Sequence, residues 1–125
     1  MNHNPVGWFE IYVQDLDRAR QFYETVLGIE LTRLDSPTKD IEMLAFPMDM
    51  EASGASGALC KMDGFAPNGN GTLIYFSSAD CDIEASRVEA AGGKIGKPKS
   101  SIGPYGFIAL ATDTEGNTFG IHSLT

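Results

Sequence analysis

The chain has 125 residues, 42% of them apolar and 21% charged, which is ordinary usage for a globular domain long enough to bury a real core. Its formal net charge of −8 argues against a sequence-independent grip on nucleic acid, which needs clustered Lys and Arg, and disfavours an anionic membrane surface. An anionic ligand stays possible, because a pocket can differ in sign from the surface around it.

The longest apolar runs are too short to span a bilayer. The polar stretch Met1 to Pro5 lacks the basic-then-apolar pattern of a signal peptide. The two cysteines, Cys60 and Cys81, make neither a disulfide framework nor a zinc spacing. A cytoplasmic protein with reduced thiols and no membrane partner is expected.

The first element runs from Gly7 to Gln14, where Phe9, Ile11 and Val13 alternate with Trp8, Glu10 and Tyr12, a period that predicts a strand. Asp15 offers a helix N-cap. Leu16, Ala19, Tyr23, Val26 and Leu27 then recur at helical spacing, and Gly28 is a fitting stop. Strands are expected over 30–34, 42–46 and 57–62. Adding 65 to each number finds the pattern again: Phe9 lands on Ile74, Ile11 on Phe76, Asp15 on Asp80 and Gly28 on Gly93. A strand over 71–78 is followed by a helix capped by Asp80 or Asp82. Its buried stripe is Cys81, Ala85, Val88 and Ala91, ending at Gly92-Gly93. Further strands are expected over 94–98, 106–112 and 118–123. Each half reads β-α-β-β-β. The whole is one α+β domain over 1–125, with module one at 1–63, a Gly-, Asn- and Pro-bearing linker at 64–70, and module two at 71–125. Residues 49–57 and 100–106 are turn-rich, and each reads as a mobile loop over a pocket.

Residues 9–28, Phe-Glu-Ile-Tyr-Val-Gln-Asp-Leu-Asp-Arg-Ala-Arg-Gln-Phe-Tyr-Glu-Thr-Val-Leu-Gly, resemble the opening module of the vicinal oxygen chelate superfamily, which includes glyoxalase I, bleomycin-resistance proteins and extradiol dioxygenases. The second half resembles the matching module, with Asp80 to Gly93 for the helix and Asp113-Thr114-Glu115-Gly116-Asn117 for the closing turn. The resemblance covers almost the whole chain. It implies two tandem βαβββ modules, a cupped mixed sheet around a cavity (the glyoxalase/bleomycin-resistance fold), and a homodimer.

Metal-dependent members carry a His at the position of Trp8, a second at or beside Leu73, a Glu at the position of Gly120 and a ligand near Ala58. Trp, Leu, Gly and Ala side chains offer no imidazole, carboxylate or thiolate to a divalent cation. The resemblance therefore implies a cavity without the usual metal, and neither a metal nor another cofactor is expected. Metal-assisted glyoxalase or dioxygenase chemistry loses its Lewis acid.

Given that fold, strand parity sends Trp8, Glu10 and Tyr12 into the cavity from one module and Leu73, Tyr75 and Ser77 from the other. The last strand would add Thr118, Gly120 and His122. Phe46, Cys60, Tyr105 and Phe107 are further candidate walls. Glu10, in a strand whose other face is apolar, is the leading candidate; desolvation in an apolar cup would raise its pKa and suit it to be a base or a cation anchor. Its bland reading is a solvated or capping carboxylate. His122 is a candidate partner acid or base, or an ordinary packed histidine. Trp8 and Tyr75 are candidates to stack on a planar or cationic ligand, or core filler. Tyr105, in Gly-Pro-Tyr-Gly, reads as a gate or a surface turn residue. Cys60 and Cys81 read as packing, and His3 lies in the polar terminus.

Three functions compete. The first is a module binding a small aromatic or cationic molecule in a metal-free cavity. The second is a metal-independent lyase or isomerase with Glu10 as base and His122 assisting. The third is a metal-dependent lyase or dioxygenase with displaced ligands, for which Glu10 and His122 are too few.

Overall fold

The computed structural model describes residues 6, 8–35, 39–67 and 73–125. The first module is β1 (Phe9–Tyr12), α1 (Leu16–Leu27), β2 (Thr32–Leu34), β3 (Ile41–Ala45) and β4 (Gly57–Met62). The second is β5 (Tyr75–Ser77), α2 (Cys81–Ala85), β6 (Lys94–Ser101), β7 (Phe107–Thr112) and β8 (Thr118–Ser123), with a short 3-10 turn at Gly103–Tyr105. The two halves have the same topology, in sheets ordered β1-β4-β3-β2 and β5-β8-β7-β6. In each, the first strand lies parallel to the last and the remaining pairs are antiparallel. This is the α+β architecture that the repeat predicts.

Boundaries differ from the sequence reading where backbone donors find other partners. Val13 N–H still reaches the Cys60 carbonyl at 2.9 Å. The next two, Gln14 and Asp15, donate to the Glu115 carboxylate, so β1 ends before Gln14. In α2 the regular helix stops at Ala85, and tighter turns with i to i−3 bonds carry the chain on through Val88 and Ala91. The expected stripe survives that change: Cys81, Ala85 and Val88 are buried and Ala91 is half-buried. Asp80, rather than Asp82, caps α2 by accepting from Asp82 N–H. Strand β6 is longer than expected, with register shifts around Gly96 and Pro98. A proline lacking an N–H is tolerated there because β6 is a sheet edge. Residues 68–72, where the expected linker meets module two, lie outside the described residues, as does His3.

Helix α1 forms as its pattern dictates. Asp15 accepts from Arg18 N–H at 3.0 Å, and Gly28 ends the helix in the left-handed region at φ 66°. Its apolar stripe packs with Phe9, Ile11 and Val13 of one face of β1, and the same core takes in Phe76, Ala109, Ala111, Phe119 and Ile121 of module two. The modules thus share one core. Phe9 meets Phe76 edge-on at 5.9 Å between ring centres, and Tyr23 contacts both Phe76 and Phe119.

Polar contacts fasten the same junction. The buried Tyr23 hydroxyl donates to Asp113 at 2.6 Å. Burial, and then the Asp113 charge, push the Tyr23 phenol well above its ordinary value, so it stays a donor. The Arg87 guanidinium donates to the Val26 carbonyl at the other end of α1.

Candidate functional site

Because β1 and β5 are the edges of their sheets and their core-facing rings touch, the opposite faces of these strands also come together. They border a groove of about 1290 Å³, lined by Trp8 and Glu10 of one module and Leu73, Tyr75 and Ser77 of the other. Val6, Phe9, Ile74, Phe76 and, from the loop 47–56, Met50 and its neighbours also line it. Trp8, Leu73 and Tyr75 are 37%, 39% and 44% exposed, so they are walls of an open groove and not core filler.

Glu10 lines this groove with both oxygens engaged. Trp8 Nε1 donates to one at 3.3 Å and the Tyr12 hydroxyl to the other at 2.6 Å. That bond first, then burial and the Glu10 charge, push the Tyr12 phenol up to about 12, which fixes it as a donor. The Tyr12 ring is itself stacked on Phe65, with ring centres 5.1 Å apart. The carboxylate is therefore held in position by its neighbours. It is also exposed, where the sequence reading expected it inside an apolar cup. Phe65 was not anticipated from sequence, since nothing in a Gly-, Asn- and Pro-rich segment signals which ring a linker aromatic will meet. Tyr12 is not among the residues lining the main groove; it lines a smaller chamber of about 220 Å³ that also touches Glu10.

The other expected residues lie elsewhere. His122 is half-buried on β8 opposite Ser77, and its Nε2 donates to the Tyr105 carbonyl at 2.7 Å; it does not line the groove. That acceptor has no proton to give, so the bond fixes the Nε2–H tautomer of neutral His122. Tyr105 is 72% exposed in the 3-10 turn and stands outside the groove. Phe107 shares parity with Ala109 and Ala111, so it packs on the core, with the Lys99 ammonium 4.9 Å above its ring. Phe46 is likewise core. Cys60 does lie on the face of Glu10, but buried in a small cluster with Met43 and Ala58. Burial first, and then the Glu10 charge, push its thiol up to about 12, which leaves no thiolate for chemistry at neutral pH.

The residues at the family's metal positions do not fit a metal. Trp8, Leu73 and Ala58 carry no donor suited to a divalent cation. At Gly120 the Tyr75 ring occupies the space a side chain would need: an added Cβ would lie 2.3 Å from the ring. Among the described residues no three His, Cys, Asp or Glu side chains cluster closely enough to hold a cation. The described helices include none long and apolar enough to cross a membrane.

Residues 6–121 match the family model of the Glyoxalase/Bleomycin resistance protein/Dioxygenase superfamily. No curated protein matches the chain. Solved structures with similar folds include glyoxalase I from Zea mays, at TM-score 0.75 and 24% identity over 95% of this chain and 46% of that one. The chain thus spans about half the length of the maize enzyme. An antibiotic-binding protein from Streptomyces is similar at TM-score 0.68 and 24% identity, covering 100% of this chain and 99% of that one. A glyoxylase/bleomycin resistance protein/dioxygenase domain from Frankia is similar at TM-score 0.71 and 19% identity, covering 98% of each.

Proposed function

Because the chain belongs to the Glyoxalase/Bleomycin resistance protein/Dioxygenase superfamily, we propose that it binds a small aromatic cation in the groove between β1 and β5, without a metal. One observation carries this reading: Trp8, Glu10, Leu73 and Tyr75 line a single open groove, and Glu10 is the one charged side chain among the described residues that line it. An indole and a phenol ring offer stacking and cation–π contact, and a carboxylate offers the counter-charge. The Streptomyces neighbour, described as an antibiotic-binding protein, supports the same class of role.

Catalysis by Glu10 ranks second. Its oxygens already accept from Trp8 and Tyr12, which favours holding a cation over taking a proton, and His122 is tied to Tyr105. A homodimer, a cytoplasmic location and the absence of nucleic-acid partners belong to the same proposal; sedimentation velocity tests the first.

Trp8 is the one tryptophan of the chain, so its fluorescence reports groove occupancy directly. A thermal-shift and fluorescence screen against small aromatic amines and their neutral analogues should find amines that quench Trp8. At a hundredfold excess over Kd, a bound amine should stabilise the fold by about 2.7 kcal/mol. Glu10→Gln should weaken the amines about tenfold and leave the neutral analogues unchanged. Equal binding of amines to both proteins would refute the anchor role of Glu10.

A further inference from the structure

Glu10 does not belong to the groove alone. Glu10 and Ile74 line both the groove and the smaller chamber, so both spaces border these two side chains. Their hydrogen bonds divide Glu10 in the same sense. One oxygen faces Trp8, a groove wall, and the other faces Tyr12, a chamber wall. Each carboxylate oxygen has two acceptor sites, so each keeps capacity for a ligand N–H.

The chamber differs in character from the groove. Its walls are mainly apolar, Ile74, Pro67 and Phe119 among them, and its polar lining residues include Asn117 and Thr118. The Tyr12 hydroxyl donates its hydrogen bond to Glu10 and is left only to accept. At about 220 Å³ it holds roughly seven atoms of the size of a water oxygen, taking about 30 Å³ for each. That is room for a short chain or one small ring, a cavity of about 150 Å³ being enough for benzene.

We infer that groove and chamber form one two-part site, and that its ligand is an aromatic ring joined through an ammonium to a short arm ending in a hydroxyl. The ring lies against Trp8 and Tyr75, the ammonium sits at Glu10 between the two spaces, and the arm enters the chamber with its hydroxyl toward Thr118. This assignment rests on the groove being a cation-binding site, and it adds the arm and the chamber to that reading.

Calorimetric titration with three probes separates the two claims: naphthylmethylamine, its N-hydroxypropyl derivative, and uncharged naphthylmethanol. The hydroxypropyl amine should bind about tenfold tighter than the parent amine, the gain from burying a short chain less the cost of freezing it. Ala66 also lines the chamber and is exposed. In Ala66→Phe the two amines should bind alike, with a cooperative melt showing that the variant is folded. If the hydroxypropyl amine binds wild type no tighter than the parent, the chamber assignment is wrong while the groove reading stands. If neither amine binds better than naphthylmethanol, the groove reading fails and the assignment fails with it.

Discussion

Glu115 is the residue whose loss should cost the fold most per atom removed. It sits in the closing turn of module two, yet it serves module one. Its side chain is 0% exposed and accepts from Gln14 N–H, Asp15 N–H, the Thr114 hydroxyl and two nitrogens of Arg18, at 2.7 and 2.8 Å. Burial alone would raise its carboxyl, but the Arg18 guanidinium, the Asp15 and Gln14 amides and the Thr114 hydroxyl outweigh it and hold the group at about 2. Against an ordinary value of 4.5, that makes ionised Glu115 worth about 3 kcal/mol to folding. The sign follows from the depressed value. The full contribution is present above pH 4.5, where both folded and unfolded chains are ionised, and it fades as pH falls toward 2 because the unfolded chain takes up the proton first. Glu115→Gln keeps the shape but turns an N–H₂ toward Arg18. Urea unfolding followed by Trp8 fluorescence should show the variant about 3 kcal/mol less stable at neutral pH, with the gap closing on acidification. Other carboxylates contribute equally to both proteins and cancel in the difference. A neutral-pH gap below about 1 kcal/mol, or one that does not shrink in acid, would refute the lock. The half-exposed Arg18 is screened by solvent, so Arg18→Ala should cost less than Glu115→Gln while moving acid unfolding to higher pH.

Gly120→Ala would drive a Cβ into the Tyr75 ring, which can yield only by swinging off β8. The expected result is about 1 kcal/mol lost in urea titration together with weaker binding of aromatic amines; unchanged affinity would mean the ring is no part of the groove. Cys60 and Cys81 are both buried, and the Cys60 thiol stands at about 12. Neither should react with an aromatic disulfide reagent faster than the chain unfolds, and rapid labelling of the native protein would contradict their burial. After incubation with zinc, nickel or manganese and desalting, elemental analysis should find no stoichiometric metal. A retained equivalent would show that donors other than those at the family positions assemble a site.

How legible was all this before folding? Local patterns carried the fold far. The alternation of Phe9, Ile11 and Val13, the helical spacing from Leu16 to Leu27 and the recurrence at an offset of 65 gave the tandem topology and the inward faces of β1 and β5. Those features depend on the period of side chains along a strand or helix, which is written in the chain itself. The placing of Trp8, Glu10, Leu73 and Tyr75 on one cavity face came from the family resemblance, which says which face of the first strands looks inward, with strand parity naming the residues on it. His122, Tyr105 and Phe107 misled. His122 has groove-side parity on β8 but is drawn to the Tyr105 carbonyl, and Phe107 is turned to the core by its register beside Ala109 and Ala111.

What the sequence determined, then, is periodicity, chemistry and absence of donors: strands, helices, a repeat, and Trp8 and Leu73 where relatives carry ligands. Tertiary structure alone decided which distant groups meet. It set Glu115 under α1 some hundred residues away in the chain, Phe65 on Tyr12, and the Tyr75 ring over Gly120. It also left Glu10 exposed, where its apolar surroundings in sequence suggested burial. Desolvation and hydrogen bonding depend on every neighbour in space, and a period along one strand fixes only the neighbours on that strand.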